Sequence, residues 1–115
     1  MDLAVTTSTV GGQAVVSVNG EVDVYTAPTL RDQLTGLLDS GTTSVIVDMS
    51  QVGFCDSTGL GSLVAALNHA REKGGTLALV AAQDRVLKLL RITGLDQVFT
   101  LYPSVDDAVG TADAG

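Results

Sequence analysis

Asp56, Ser57 and Thr58 stand together just ahead of two glycines, in the run Asp56-Ser57-Thr58-Gly59-Leu60-Gly61. A carboxylate beside two hydroxyls can cap a helix, serve as a nucleophile, or accept a phosphate. The flanking residues narrow that choice. Upstream, Val45, Ile46 and Val47 form an apolar run of the kind that makes a buried strand. Downstream, Leu60, Leu63, Val64, Leu67 and Ala70 recur at helical spacing. Ser57 is therefore expected at or just inside a helix N-terminus, close to the surface. A helix start presents unpaired amide N–H groups and a partial positive charge, an environment that holds a phosphate at little local cost. Gly59 and Gly61 fall in the first turns, where each glycine costs about 1 kcal/mol against alanine. They clear side-chain bulk around Ser57, as the close approach of another surface requires. The plainer alternative is that Asp56 or Ser57 is an N-cap and does nothing more.

Catalysis by the chain itself fits these residues poorly. Cys55-Asp56-Ser57-Thr58-Gly59 is similar to the nucleophile elbow G-x-S-x-G, but Cys55 stands in place of the first glycine. The single histidine, His69, lies further along the same helix, roughly 18 Å from Ser57 at the helical rise per residue. A histidine there cannot act as the base for this serine. It reads as a partly exposed helix residue. One histidine and one cysteine do not make a metal site within a monomer. Cys55 has two readings: a thiol activated by the helix N-terminus, or a small buried hydrophobe, and the second is preferred. No Gly-rich phosphate loop is present, because Gly59-Leu60-Gly61 lies inside the helix rather than before it. No cofactor is expected.

Composition argues against a nucleic-acid or membrane partner. The 115 residues are 45% hydrophobic and only 3% aromatic, so the core must be aliphatic. The length suits one domain, 1–115, with a tail from about residue 110 expected to fray. The lone cysteine cannot form an internal disulfide, which suits a reducing cytosol. Met1 to Val10 has no signal-peptide pattern, and the apolar run Leu77 to Ala82 is too short to cross a bilayer. The net charge of −7 argues against nucleic acid. Nearly all the excess precedes Thr58, where Arg31 is the only base among Asp2, Glu21, Asp23, Asp32, Asp39, Asp48 and Asp56. Simple solubility accounts for it and is the preferred reading from charge alone, with a basic protein partner on that half as the alternative.

The elements that must position Ser57 follow from periodicity and turn signals. Leu3 to Thr9 and Gln13 to Val18 read as strands joined at Gly11-Gly12. Gly20 to Tyr25 is expected as a loop, with Thr26 capping a helix through Ala27, Leu30, Leu34, Leu37 and Leu38. A third strand, Ser44 to Met49, leads through a loop at Val52 to Cys55 into the second helix, which stops at Gly74-Gly75. Thr76 to Ala81 is a strand, Asp84 starts a third helix, Val98 to Leu101 is a short strand, and Ser104 to Val109 begins a last helix. Arg85, Lys88 and Arg91 on the third helix read as a solvated face, with a second contact face as the alternative. The alternation requires crossover helices, and so an α/β fold with a mixed, mainly parallel sheet of about five strands and about four helices.

Three segments of this layout resemble the STAS domain, in particular the free-standing bacterial anti-sigma factor antagonists. They are Val18-Asn19-Gly20-Glu21-Val22-Asp23 with Thr26-Ala27, Val47-Asp48-Met49-Ser50 through Val52 and Phe54 to Gly61, and Leu89-Leu90-Arg91-Ile92-Thr93-Gly94-Leu95 leading to Phe99. The resemblance runs from about Leu3 to Val109 and implies the STAS fold. It also implies that Ser57 is the serine phosphorylated by an anti-sigma factor that is itself a serine kinase and brings its own ATP. The unphosphorylated antagonist would bind that partner and free a sigma factor, and a serine phosphatase would reset the phosphorylated form. Asp56 matches the acid before the phosphoserine, and Asp23 the loop acid that contacts the kinase. Thr58 offers a second hydroxyl. The partner surface implied is Glu21, Asp23, Asp56, Ser57, Thr58, Gly59, Leu60 and Gly61, on a cytoplasmic monomer or weak dimer. STAS domains also serve in anion transporters, stress-sensing assemblies and lipid-transport machinery, so a module that binds a protein or small ligand without a phospho-switch is the alternative.

Overall fold

A computed structural model describes residues 3–114. The elements run β1 (Leu3–Val10), β2 (Gln13–Val22), α1 (Ala27–Asp39), β3 (Ser44–Cys55), α2 (Ser57–Glu72), β4 (Thr76–Val80), α3 (Asp84–Thr93), β5 (Thr100–Tyr102) and α4 (Val105–Ala114). A single 3₁₀ turn, Leu95–Gln97, joins α3 to β5. The strands lie side by side in sequence order, with β1 antiparallel to β2 and every later pair parallel. This is the mixed, mainly parallel α/β sheet the sequence pattern predicts.

Side-chain alternation explains the layers. Val16, Val18, Val45, Val47, Leu77 and Leu79 point to one face of the sheet and meet Leu30 and Leu34 of α1, Leu63 and Leu67 of α2, and Val86 and Leu90 of α3. Val15, Ile46 and Val80 point to the other face and meet Ala108 of α4. The three central strands are covered on both faces, so they read as continuous apolar runs. β1 is covered less: only Leu3 and Val5 are partly buried, and the rest of the strand is exposed.

The strands that lead to Ser57 are longer than the sequence pattern suggests. β2 continues past Val18 to Val22, and β3 continues past Met49 to Cys55. Glu21 therefore lies on a strand, not in a loop, and so do Val52, Gly53, Phe54 and Cys55. Asn19-Gly20 and Ser50-Gln51 look like strand breakers. Here they are absorbed by register shifts between Ser17 and Asn19 and between Gly20 and Glu21. Such irregularities bend and twist a strand without ending its pairing. At the other end of the sheet, β5 is shifted to Thr100–Tyr102 by the 3₁₀ turn. β4 stops at Val80, before Ala81, whose φ of 56° leaves the strand region. α4 runs to Ala114; Met1, Asp2 and Gly115 lie outside the described residues.

Candidate functional site

The extended strands bring two chain segments together at the carboxyl edge of the sheet. Glu21 pairs with Phe54 and Val22 with Cys55. Beyond them, the Asp56 N–H donates to the Val22 carbonyl at 3.1 Å. The β2–α1 connection, carrying Asp23, thus lies against the β3–α2 junction, carrying Asp56 and Ser57.

Asp56 is the N-cap of α2, with extended backbone (φ −101°, ψ −177°), and its Oδ1 accepts from the Gly59 N–H at 2.8 Å. This satisfies one orphan donor of the first turn. Because Asp56 takes the capping role, Ser57 is left as the first helical residue. Ser57 is exposed, and its hydroxyl has no hydrogen-bond partner among the described residues. Thr58 is also exposed but faces differently. With Gly61, Ser62 and Ala65 it lines a groove of about 220 Å³ against Ala27, Pro28 and Arg31 of α1.

The two glycines do different things. A Cβ on Gly59 would lie 2.5 Å from the Val22 carbonyl oxygen, 2.7 Å from Val22 Cγ1 and 3.0 Å from Cys55 Sγ. Gly59 is buried, and it is glycine because α2 must seat on the end of β2, not because an outside surface approaches. A Cβ on Gly61 would meet nothing within 4 Å, and that position is open to solvent. Leu60 is only 3% exposed and belongs to the core. Of the residues expected on a partner surface, Ser57, Thr58 and Gly61 are exposed. Glu21, Asp23 and Asp56 are half-buried, and Gly59 and Leu60 lie beneath.

Asp23 organises its own loop. Its Oδ1 accepts from the Tyr25 N–H at 2.9 Å and from the Thr26 N–H at 3.0 Å. The Thr26 hydroxyl accepts from the Asp23 N–H at 2.9 Å and donates to the Glu21 carbonyl at 2.7 Å. Thr26 occupies the N-cap position of α1 but makes no side-chain cap bond, since its hydroxyl is spent on the loop. The Thr26 amide, then the Tyr25 amide, hold the Asp23 carboxyl below its ordinary range. The turn so fixed leaves Val24 and Tyr25 outside, 55% and 87% exposed, and Phe54 on β3 is 44% exposed. These three were missed by reasoning from motifs. The available signal was two of the chain's four Phe and Tyr residues standing outside the periodic apolar runs of a protein with an aliphatic core. Exposed aromatic residues are the commonest anchors of protein interfaces.

Cys55 is 7% exposed, and burial, followed by the Asp56 charge, pushes its thiol up to about 12. The helix N-terminus does not activate it. His69, at the far end of α2, is half-buried, with Nε2 2.7 Å from Asp39 Oδ1. Lys73 Nζ lies 3.4 Å from the same oxygen. That cluster ties α2 to α1 and is remote from Ser57. Among the described residues no helix is long and apolar enough to cross a membrane.

The chain as a whole matches a known family. The STAS domain model matches residues 4–108, and the chain belongs to that family. It is 38% identical over 95 residues to the anti-sigma-B factor antagonist of Staphylococcus aureus, spanning 83% of this chain and 88% of that protein. It is 36% identical over 94 residues to the protein of the same name from Bacillus subtilis, spanning 82% and 85%. The crystal structure of an anti-sigma factor antagonist from Mycobacterium paratuberculosis superposes with a TM-score of 0.86 at 32% identity, covering 96% of this chain and 93% of that one.

Proposed function

We propose that this chain is an anti-sigma factor antagonist whose binding is switched by phosphorylation at Ser57. Unphosphorylated, it docks on an anti-sigma factor that is also a serine kinase, and a sigma factor is freed into the cytoplasm. The partner supplies ATP, the Ser57 hydroxyl takes the phosphoryl group, and a serine phosphatase later removes it. The antagonist itself performs no catalysis. The observation that carries this reading is an exposed Ser57 hydroxyl with no internal partner, placed at the first residue of α2 by the Asp56 cap. Val24, Tyr25 and Phe54, on the two chain segments that meet at this end of the sheet, are exposed as well. The relatives at 36–38% identity carry the same functional name.

Charge accounts for the release step. A phosphate brings about −1.5 to −2 charges near pH 7. Within this chain the start of α2 offsets much of it. In a docked complex the same charge must be desolvated against Asp56, Asp23 and the partner's nucleotide, and the interface opens. Binding switches while the fold stays. Incubation with ATP and candidate anti-sigma kinases, read by site-resolved mass spectrometry, tests this. A single phosphate on Ser57, absent in Ser57→Ala and accompanied by release of the kinase, is the expected result. A wild-type chain left unmodified by every kinase it binds would sink the switch. A phosphate on Thr58 would move it to the α1–α2 groove.

A further inference from the structure

The two edges of the sheet are unequally protected. β5 is three residues long, Thr100–Tyr102, and Pro103 follows at once. Short edges and proline discourage pairing with another chain. β1 offers eight residues, Leu3–Val10, paired to β2 without any register shift. It holds no charge and no proline, and Val5, Thr6, Thr7, Thr9 and Val10 are β-branched. All of it except Leu3 and Val5 is exposed.

The hairpin decides which backbone groups are free. Gly11 and Gly12 have φ of 58° and 80°, as a two-residue type I′ turn requires. Val10 and Gln13 close that turn as a hydrogen-bonded pair, and pairing alternates from there. Ala4, Thr6 and Ser8 therefore direct their N–H and C=O groups at β2. Leu3, Val5, Thr7 and Thr9 direct theirs outward, off the edge of the sheet.

We propose that β1 pairs with β1 of a second copy of this chain, antiparallel, about a two-fold axis perpendicular to the sheet at Thr6. That register sets Val5 opposite the second copy's Thr7 and Leu3 opposite its Thr9. The outward-pointing set of each strand then meets the outward-pointing set of the other. On the helix-bearing face the opposed side chains are Leu–Thr and Val–Thr; on the other they are Ala4–Ser8 and Thr6–Thr6. These are small or β-branched pairs suited to a pleated surface. A second copy is favoured over a foreign strand because the symmetry matches every free group in one register. The net charge of −7 opposes self-association in general, but no acid lies between Leu3 and Val10, so the paired strands themselves bring no like charges together. The Ser57 site, built on the ends of β2 and β3, stays open in both copies.

Sedimentation velocity of the full chain over roughly 5–500 μM tests the proposal, a range that brackets the weak affinity expected of a single strand pair. The expected result is a monomer–dimer equilibrium. Thr6→Lys brings two ammonium groups together at the axis and weakens the dimer roughly tenfold or more, with added salt restoring part of it. Thr7→Pro deletes an outward N–H without touching the hairpin bonds and weakens it likewise. Thr6→Cys gives a disulfide-linked dimer on mild oxidation, because opposed residues at a non-hydrogen-bonded position lie within bridging distance. A chain monomeric throughout the range overturns the proposal. So does a dimer indifferent to both Thr6→Lys and Thr7→Pro.

Discussion

The two ends of α2 are built in opposite ways. At the C-terminal end, His69 and Lys73 both reach Asp39 of α1, at 2.7 and 3.4 Å, and the two helices are linked through that one carboxylate. At the N-terminal end no side chain reaches across to another element: the Asp56 carboxylate caps its own helix at the Gly59 N–H, and the Asp56 N–H holds the Val22 carbonyl. The Ser57 hydroxyl is left over. The helix is seated there by packing, through a buried Gly59 and Leu60, not by surface side chains. An end fastened in this way can gain or lose a charge without losing its attachment. At the other end the buried Ala66, Leu67 and Ala70 are supplemented by exposed contacts to the Asp39 carboxylate, so a change of charge there is felt by the contacts themselves.

Gly59 and Gly61 give the largest contrast. Gly59→Ala drives a methyl group into the Val22 carbonyl, a backbone atom that cannot turn aside. The expected loss is about 2–3 kcal/mol or more, in the range of overpacking a tight core. Gly61→Ala meets open space and gains up to about 1 kcal/mol from helix propensity. Urea unfolding of the two variants beside wild type checks both signs. Cys55 supplies an independent readout, since its Sγ lies 3.0 Å from the added methyl position. Its thiol, buried and pushed up to about 12, should label slowly in wild type and quickly in Gly59→Ala. Equal stability of the two alanine variants would mean that α2 is not seated through Gly59.

Much of the site is legible in the sequence because its signals are local. The Val45–Val47 run, the Asp-Ser cap and the spacing from Leu60 to Ala70 place Ser57 at the start of a helix without tertiary information. What stays hidden is non-local. The extension of β2 to Val22 depends on β3 lying alongside it, and the register shifts that permit it have no signature in either strand alone. The role of Gly59 is hidden for the same reason: glycine in a first helical turn looks like clearance for a partner until the end of β2 is seen beneath it. Asp23 reads as a free acid, yet its carboxylate accepts from two amides of its own loop. Tyr25 and Phe54 are exposed only because that loop and the twisted strand end turn them outward.

A smaller effect is expected at the cap. Asp56→Ala removes the acceptor for the Gly59 N–H and should cost about 1 kcal/mol, as N-cap losses do. Asp56→Ser should recover most of it, because a hydroxyl also accepts from that amide. Denaturant midpoints separate this from any partner-binding role. If Asp56→Ser restores stability but not affinity for an anti-sigma factor, the carboxylate serves both helix and partner. If it restores both, the cap alone matters.

The smallest effect belongs to the tied end and carries a pH signature. The hydrogen bond to His69, then the one from Lys73, hold the Asp39 carboxyl below its ordinary range. A folded-state pKa below the unfolded value means that the native state binds its proton less readily. The contribution to stability is present above the unfolded value, about 3.9 for aspartate, and is lost as pH falls through the lower folded one. Asp39→Asn should therefore lower the urea midpoint slightly at pH 7, with the gap from wild type closing below about pH 4. Exposure of the cluster and screening by salt keep the difference small. A gap that stays constant from pH 7 to pH 3 would show that Asp39 acts through packing rather than charge. The contrast between a charge-tied and a packing-seated end of α2 would then fail at its tied end.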